Sequence, residues 1–94
     1  MSLLTSEAIN RELSALEGWT LDGKAIRKQF TRASFPDAVA FVVRLGFAAE
    51  MADHHPDILI NYKRVTLSYS THSEGGLTEK DFDGARTAER VARA

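Results

Sequence analysis

Histidine is the side chain whose ordinary pKa lies closest to neutral pH, and this chain has three: His54 and His55 side by side, and His72 farther on. Around them stand the carboxylates Glu50, Asp53 and Asp81 and the backbone-restricting Pro56. Imidazole and carboxylate together support three readings. Many histidines sit at helix ends and surfaces with no chemical duty, so the plainest reading is a set of solvated side chains. Neutral imidazole and carboxylate also ligate zinc or iron. Helical metal motifs, however, place two histidines about four residues apart so that both meet one ion. Adjacent His54 and His55 lack that spacing. The third reading is metal-free general acid–base catalysis, which suits imidazole because its ordinary pKa is about 6.5.

Other chemistries find little purchase. There is no cysteine and no Gly-x-Ser-x-Gly elbow, so nucleophilic catalysis lacks its usual carriers. Gly75-Gly76 matches neither the Walker pattern nor the dinucleotide-binding fingerprint.

The elements that must position these residues can be read from periodicity. Ile9, Leu13 and Leu16 predict an amphipathic helix over residues 6–17, capped by Thr5 or Ser6 and ended by Gly18. Trp19–Leu21 and Ala25–Phe30 flank Asp22-Gly23, the dipeptide of a tight hairpin. Ser34-Phe35-Pro36-Asp37 starts a second helix that runs to about Ala52. Ile58, Ile60 and Tyr62, then Val65, Leu67 and Tyr69, alternate with polar or outward neighbours and predict a second hairpin. Thr78-Glu79-Lys80-Asp81 offers a capping box for a last helix with Phe82, Ala85, Ala88 and Val91 on one stripe. The expected fold is therefore α+β: one domain over residues 1–94, ordered αββαββα. It would be a four-stranded antiparallel sheet with helices packed on one face.

Pro56 disfavours the helical region for the residue before it, which pins the backbone of the histidine pair where the second helix ends. The two rings are expected to diverge. His72 continues the parity of Thr66, Ser68 and Ser70, away from the apolar file of its strand. On a helical wheel Glu50 falls between Val39 and Val43, while Phe41 and Ala48 fall on the side of Asp37 and Arg44. An acid on an apolar stripe either reaches solvent at the helix end or is held for a partner. The second helix is apolar nearly all round, more than one small core can cover, so a homo-oligomer (dimer or tetramer) with this helix at its interface is expected.

Length and charge bound the function. With 94 residues, 12 basic and 13 acidic side chains, the chain lacks the positive excess with which proteins neutralise phosphates, so no direct nucleic-acid partner is expected. The longest apolar run is Ala38–Val43, far short of the roughly 20 residues of a membrane span. Glu7, Arg11, Glu12 and Glu17 interrupt any signal-peptide core. The expectation is cytoplasmic residence without a membrane partner.

The residues also carry a resemblance. Glu50, three residues, His54-His55-Pro56, five residues, Tyr62, nine residues, His72, eight residues, Asp81 resembles the signature of the pterin-4a-carbinolamine dehydratase family. Gly18-Trp19, Phe30, Asn61, Ser70-Thr71-His72 and the Gly76–Asp81 run extend the similarity over nearly the whole domain. It implies the same αββαββα fold. It also implies a hydro-lyase that converts 4a-hydroxytetrahydropterin, left by an aromatic amino acid hydroxylase, to quinonoid dihydropterin and water. Neither metal nor cofactor is implied, the pterin being the substrate.

By the same resemblance His54 and His72 form the acid–base pair and His55 positions the substrate. Glu50 orients a histidine or meets the pterin edge. Asp53, Thr71, Ser73 and Glu74 line the pocket, and Lys80 and Asp81 approach it from the last helix. Pro56 borders the substrate and, like Tyr62, is mainly architectural. Asp81 doubles as the acid of the capping box. Ile58 stands where animal members carry tryptophan, which bears on stacking with the pterin. The same family resemblance brings a second class of function, a non-catalytic module that stabilises a transcription-factor dimer or assists assembly of an enzyme complex.

Overall fold

A computed structural model describes residues 2–94. Each helix begins at a side-chain cap that accepts an amide proton otherwise left unpaired. Helix α1 (Ser6–Ser14) starts at Thr5, whose hydroxyl accepts from the Ala8 amide at 3.1 Å. Strands β1 (Thr20–Asp22) and β2 (Ala25–Thr31) follow. Helix α2 (Phe35–Ala52) is capped by Ser34, which accepts from the Asp37 amide at 3.2 Å. Strands β3 (Asp57–Asn61) and β4 (Arg64–Tyr69) form the second hairpin, and a single 3₁₀ turn spans His72–Glu74. Helix α3 (Glu79–Arg93) opens with the expected capping box between Thr78 and Asp81.

The strands lie in the order β1-β2-β4-β3, all antiparallel. Alternation sends Ile26 and Phe30 of β2 and Val65, Leu67 and Tyr69 of β4 to one face. There they meet Ala38, Phe41 and Leu45 of α2 and Phe82, Ala85 and Ala88 of α3 in a single core. The α+β architecture and element order match the sequence expectation. Each large apolar side chain in this core contributes roughly 1.5–3 kcal/mol by burial.

Three boundaries differ. Helix α1 stops at Ser14 rather than near Glu17, because Leu16 and Trp19 turn into the core and close its end. Register pairs Asp22 with Ala25, so the first hairpin turns on Gly23-Lys24, with Gly23 at φ +61°. Tyr62 leaves the strand for a turn at φ +56°, and its ring is exposed.

The second helix corrects a larger expectation. Its buried arc is Ala38, Phe41, Leu45 and Ala49, so Phe41 lies in the core rather than beside solvent with Asp37 and Arg44. Those two charges flank the arc, and Asp37 reaches back to Arg32 at 3.0 Å. Outward faces the stripe Val39, Val43, Phe47 and Met51, the last two 73% and 90% exposed. Glu50 lies on that outward side with a largely exposed carboxylate. It is therefore not an acid misplaced on a buried stripe, because the stripe itself is not buried.

Candidate active site

The site forms where α2 ends, where β4 runs out and where α3 begins. Asp53 terminates α2 in the left-handed conformation, φ +52°, with its amide directed at the last helical carbonyls. The chain then turns through His54, His55 and Pro56 into β3. Adjacent backbones send the two rings apart, as the sequence implied. His54 points inward and pairs through Nε2 with Asp81 Oδ1 at 2.6 Å; the imidazole is 13% exposed and the carboxylate fully buried. His55 points outward and pairs through Nε2 with Glu50 Oε1 at 2.7 Å.

Asp81 is the hinge of this arrangement. Its second oxygen, Oδ2, accepts from the Thr71 hydroxyl and from the Thr78 amide, each at 2.9 Å. Thr71 and Thr78 also join hydroxyl to hydroxyl at 2.8 Å. A carboxylate only accepts, so these donors fit a His54 that donates from Nε2. That tautomer leaves Nδ1 with its lone pair, and Nδ1 has no partner among the described residues. The capping box of α3 and the seat of His54 are thus one hydrogen-bonded unit.

Behind His54 lies the Tyr69 ring, with 20° between the planes and 6.1 Å between centroids. Burial pushes the Tyr69 phenol well above its ordinary range, and the Asp81 charge adds to the effect.

In front of His54 opens a cleft of about 410 Å³ lined by Asp53, His54, His55, Ser70, Thr71, His72, Ser73 and Lys80. A second groove of similar volume shares His55, Ser70 and His72 and continues over Lys24 and Ser68 on the open face of the sheet. The structure therefore gathers all three histidines with Asp53, Thr71, Ser73 and Lys80. It leaves Pro56 and Glu74 off the cleft wall, and Glu50 outside it as the partner of His55. Asp81 lies behind the wall, holding His54 rather than facing the cavity. Ser70 and Lys24 were not among the expected site residues. Ser70 had a signal, its parity with Ser68 and His72, whereas Lys24 comes close only because its carbonyl accepts from the Ser70 hydroxyl at 2.6 Å across the hairpins. Ile58 lies on the edge strand, away from the histidine cleft, against a shallower groove with Asp57 and Thr66.

Divergent imidazoles, one clamped and one solvated, suit proton transfer to a planar guest better than joint ligation of an ion. Among the described residues no three His, Cys, Asp or Glu side chains converge as a metal cluster.

Comparison with known proteins shows the family. Residues 2–91 match the model of the pterin 4 alpha carbinolamine dehydratase family. A protein of Roseiflexus castenholzii, provisionally named pterin-4-alpha-carbinolamine dehydratase, is 52% identical over 90 residues, covering 96% of this chain and 97% of its own. One from Herpetosiphon aurantiacus with the same provisional name is 45% identical over 94 residues, covering 100% and 98%. Among solved structures, a transcriptional coactivator/pterin dehydratase from Brucella melitensis superposes with a TM-score of 0.90 at 40% identity, covering 95% of this chain and 97% of that one. A pterin dehydratase-like protein identified as a RuBisCO assembly factor shares the fold, with a TM-score of 0.70 at 23% identity over 81% of this chain and 90% of its own. On the match across residues 2–91 and these full-length identities, the chain belongs to the pterin-4-alpha-carbinolamine dehydratase family.

Proposed function

We propose that residues 1–94 act as one dehydratase domain that converts 4a-hydroxytetrahydropterin to quinonoid dihydropterin and water. The observation that carries this reading is the cleft that gathers His54, His55 and His72, with His54 held from behind by buried Asp81. In the reaction the C4a–oxygen bond breaks and the hydroxyl takes up a proton to leave as water. The N5–H proton is lost, and its electron pair forms the C4a=N5 double bond. One group must donate a proton and another must accept one. His54 and His72 take these two parts, and after turnover the proton passes back between them through solvent. His55, steadied by Glu50, positions the ring. Asp53, Thr71, Ser73 and Lys80 supply polar contacts to the pterin edge. No metal or cofactor takes part, and each positioned imidazole contributes roughly 10²- to 10⁴-fold in rate.

Stopped-flow kinetics with chemically generated 4a-hydroxytetrahydropterin, with and without a chelator, tests this. Dehydration should exceed the spontaneous rate and be indifferent to chelation. In the His54→Ala/His72→Ala double variant it should fall close to the spontaneous rate while circular dichroism is unchanged; catalysis retained there would remove the acid–base roles. A cytoplasmic location beside an aromatic amino acid hydroxylase follows from the substrate. No helix among the described residues is long and apolar enough to cross a membrane.

A second reading rests on the exposed stripe Val39, Val43, Phe47 and Met51: a non-catalytic module that stabilises a protein assembly. It predicts that function survives loss of the histidines and fails when the stripe is made polar, the reverse of the catalytic pattern. The same stripe supports homo-oligomerisation through α2.

A further inference from the structure

Gly84 lies inside α3, where glycine costs about 1 kcal/mol relative to alanine. Nothing in its backbone demands it, since its φ is not positive. What it faces is Tyr69: a methyl group at position 84 would overlap Tyr69 Cε1 and stand 2.8 Å from Cδ1 and Cζ. Carbon atoms pack at roughly 3.5–4.0 Å, so any side chain there would drive the ring away.

Two other rings hem it in. Tyr69 is 1% exposed, with the Trp19 ring at 6.0 Å on one flank and the His54 ring at 6.1 Å on another. Trp19 is anchored, because its Nε1 donates to Glu89 Oε2 at 2.9 Å, the same oxygen that binds Lys28 Nζ at 2.7 Å. Its ring also packs edge-on against Phe30. His54 is the neighbour with room to give: held by its bond to Asp81, its ring borders open space in the histidine cleft and, together with Tyr69 and Gly84, in a smaller cavity of about 290 Å³ between α2 and α3.

We propose that Gly84 and Tyr69 are positioning residues for His54: the glycine admits the tyrosine ring, and the ring sets the plane in which His54 meets Asp81 and offers Nδ1 to the substrate. The kinetic consequence rests on the dehydratase reading above; the placement of the imidazole does not. Gly84→Ala pushes the ring onto His54, and Tyr69→Leu removes the surface under it. Tyr69→Phe keeps that surface.

The test combines dehydration kinetics with proton–nitrogen NMR of the His54 Nε2 proton, which the short bond to buried Asp81 shields from exchange. Gly84→Ala and Tyr69→Leu should each lower kcat on the order of 10- to 100-fold, as small misplacements of catalytic groups do. KM should stay within about 3-fold, and the Nε2 proton signal should broaden or vanish. Tyr69→Phe should retain both kcat and the signal. In the Tyr69→Leu background, Gly84→Ala should cost nothing further, because no ring remains to be pushed. The proposal is overturned if folded Gly84→Ala keeps both wild-type readouts, or if it costs as much without the Tyr69 ring as with it. Should Gly84→Ala fail to fold, the contrast of Tyr69→Leu with Tyr69→Phe decides. A wild-type protein without dehydratase activity would refute the functional reading instead, and the NMR arm would then decide this proposal alone.

Discussion

At the scale of single residues, Asp81 couples folding to the site. Its carboxylate closes the capping box of α3 through the Thr78 amide, takes the Thr71 hydroxyl, and holds His54. Asp81→Ala would strand two buried donors and a third that is part-buried, so it should cost about 3 kcal/mol or more in urea unfolding. Asp81→Asn keeps an acceptor for the cap and should cost only about 1 kcal/mol. Its amide, however, cannot accept from His54 and from both other donors at once. Dehydration should therefore fall by about 10²-fold or more in this variant although it remains folded. An Asp81→Asn protein with undiminished kcat would mean that the His54–Asp81 bond has no catalytic weight. Glu50 contrasts with it: an exposed pair with His55 contributes well under 1 kcal/mol. Glu50→Gln should leave stability within about 0.5 kcal/mol and change KM more than unfolding.

At the scale of elements, α2 places the site by ending where it does, and its two termini are secured differently. At the start, the Ala33 amide and the Arg32 guanidinium hold the Asp37 carboxyl below its ordinary range, against a smaller opposing effect of burial. A carboxyl lowered on folding adds stability that is full above its unfolded pKa of 3.8 and is lost as pH falls through its lower folded value. Asp37→Asn should thus narrow the difference in thermal midpoint between neutral pH and the acid range below that value; a variant with the wild-type acid profile would contradict the assignment. Along the middle, Phe41 anchors the helix over the Phe30 ring at 5.3 Å. Phe41→Ala should cost about 3–5 kcal/mol in urea unfolding, while Leu45 and Ala49 still seat the later turns that lead to Asp53, His54 and His55.

At the scale of the whole molecule, the outward stripe of α2 is apolar surface that the single core leaves uncovered. Val43, Phe47 and Met51 are more than half exposed, an arrangement that marks an interaction surface. Light scattering at tens of micromolar should give a mass above that of one chain, and Phe47→Glu with Met51→Glu should reduce it to one. A monomeric wild type would refute the interface. Because Glu50 shares this side of α2, the charge variants also serve as a control: activity that survives dissociation would show that each chain carries a complete site.

Much of this protein follows from its residue pattern alone. Element types and order depend on local rules, a cap three residues before an acid, a glycine at a hairpin, alternation along β4, and these act over a few neighbours whatever the rest of the chain does. The divergence of His54 and His55 was equally local, since neighbouring backbones and Pro56 dictate it. Tertiary structure alone decided which face of α2 is buried, because a helix rich in Ala, Val and Phe offers several apolar arcs and only packing against Phe30 and Phe82 selects one. It also decided which carboxylate meets which histidine. Glu50 and Asp81 are both acids within reach by sequence, yet one pairs in solvent and the other in the core. That difference in burial arises from how α3 docks on β4, with Gly84 pressed on Tyr69, a contact that no periodicity encodes.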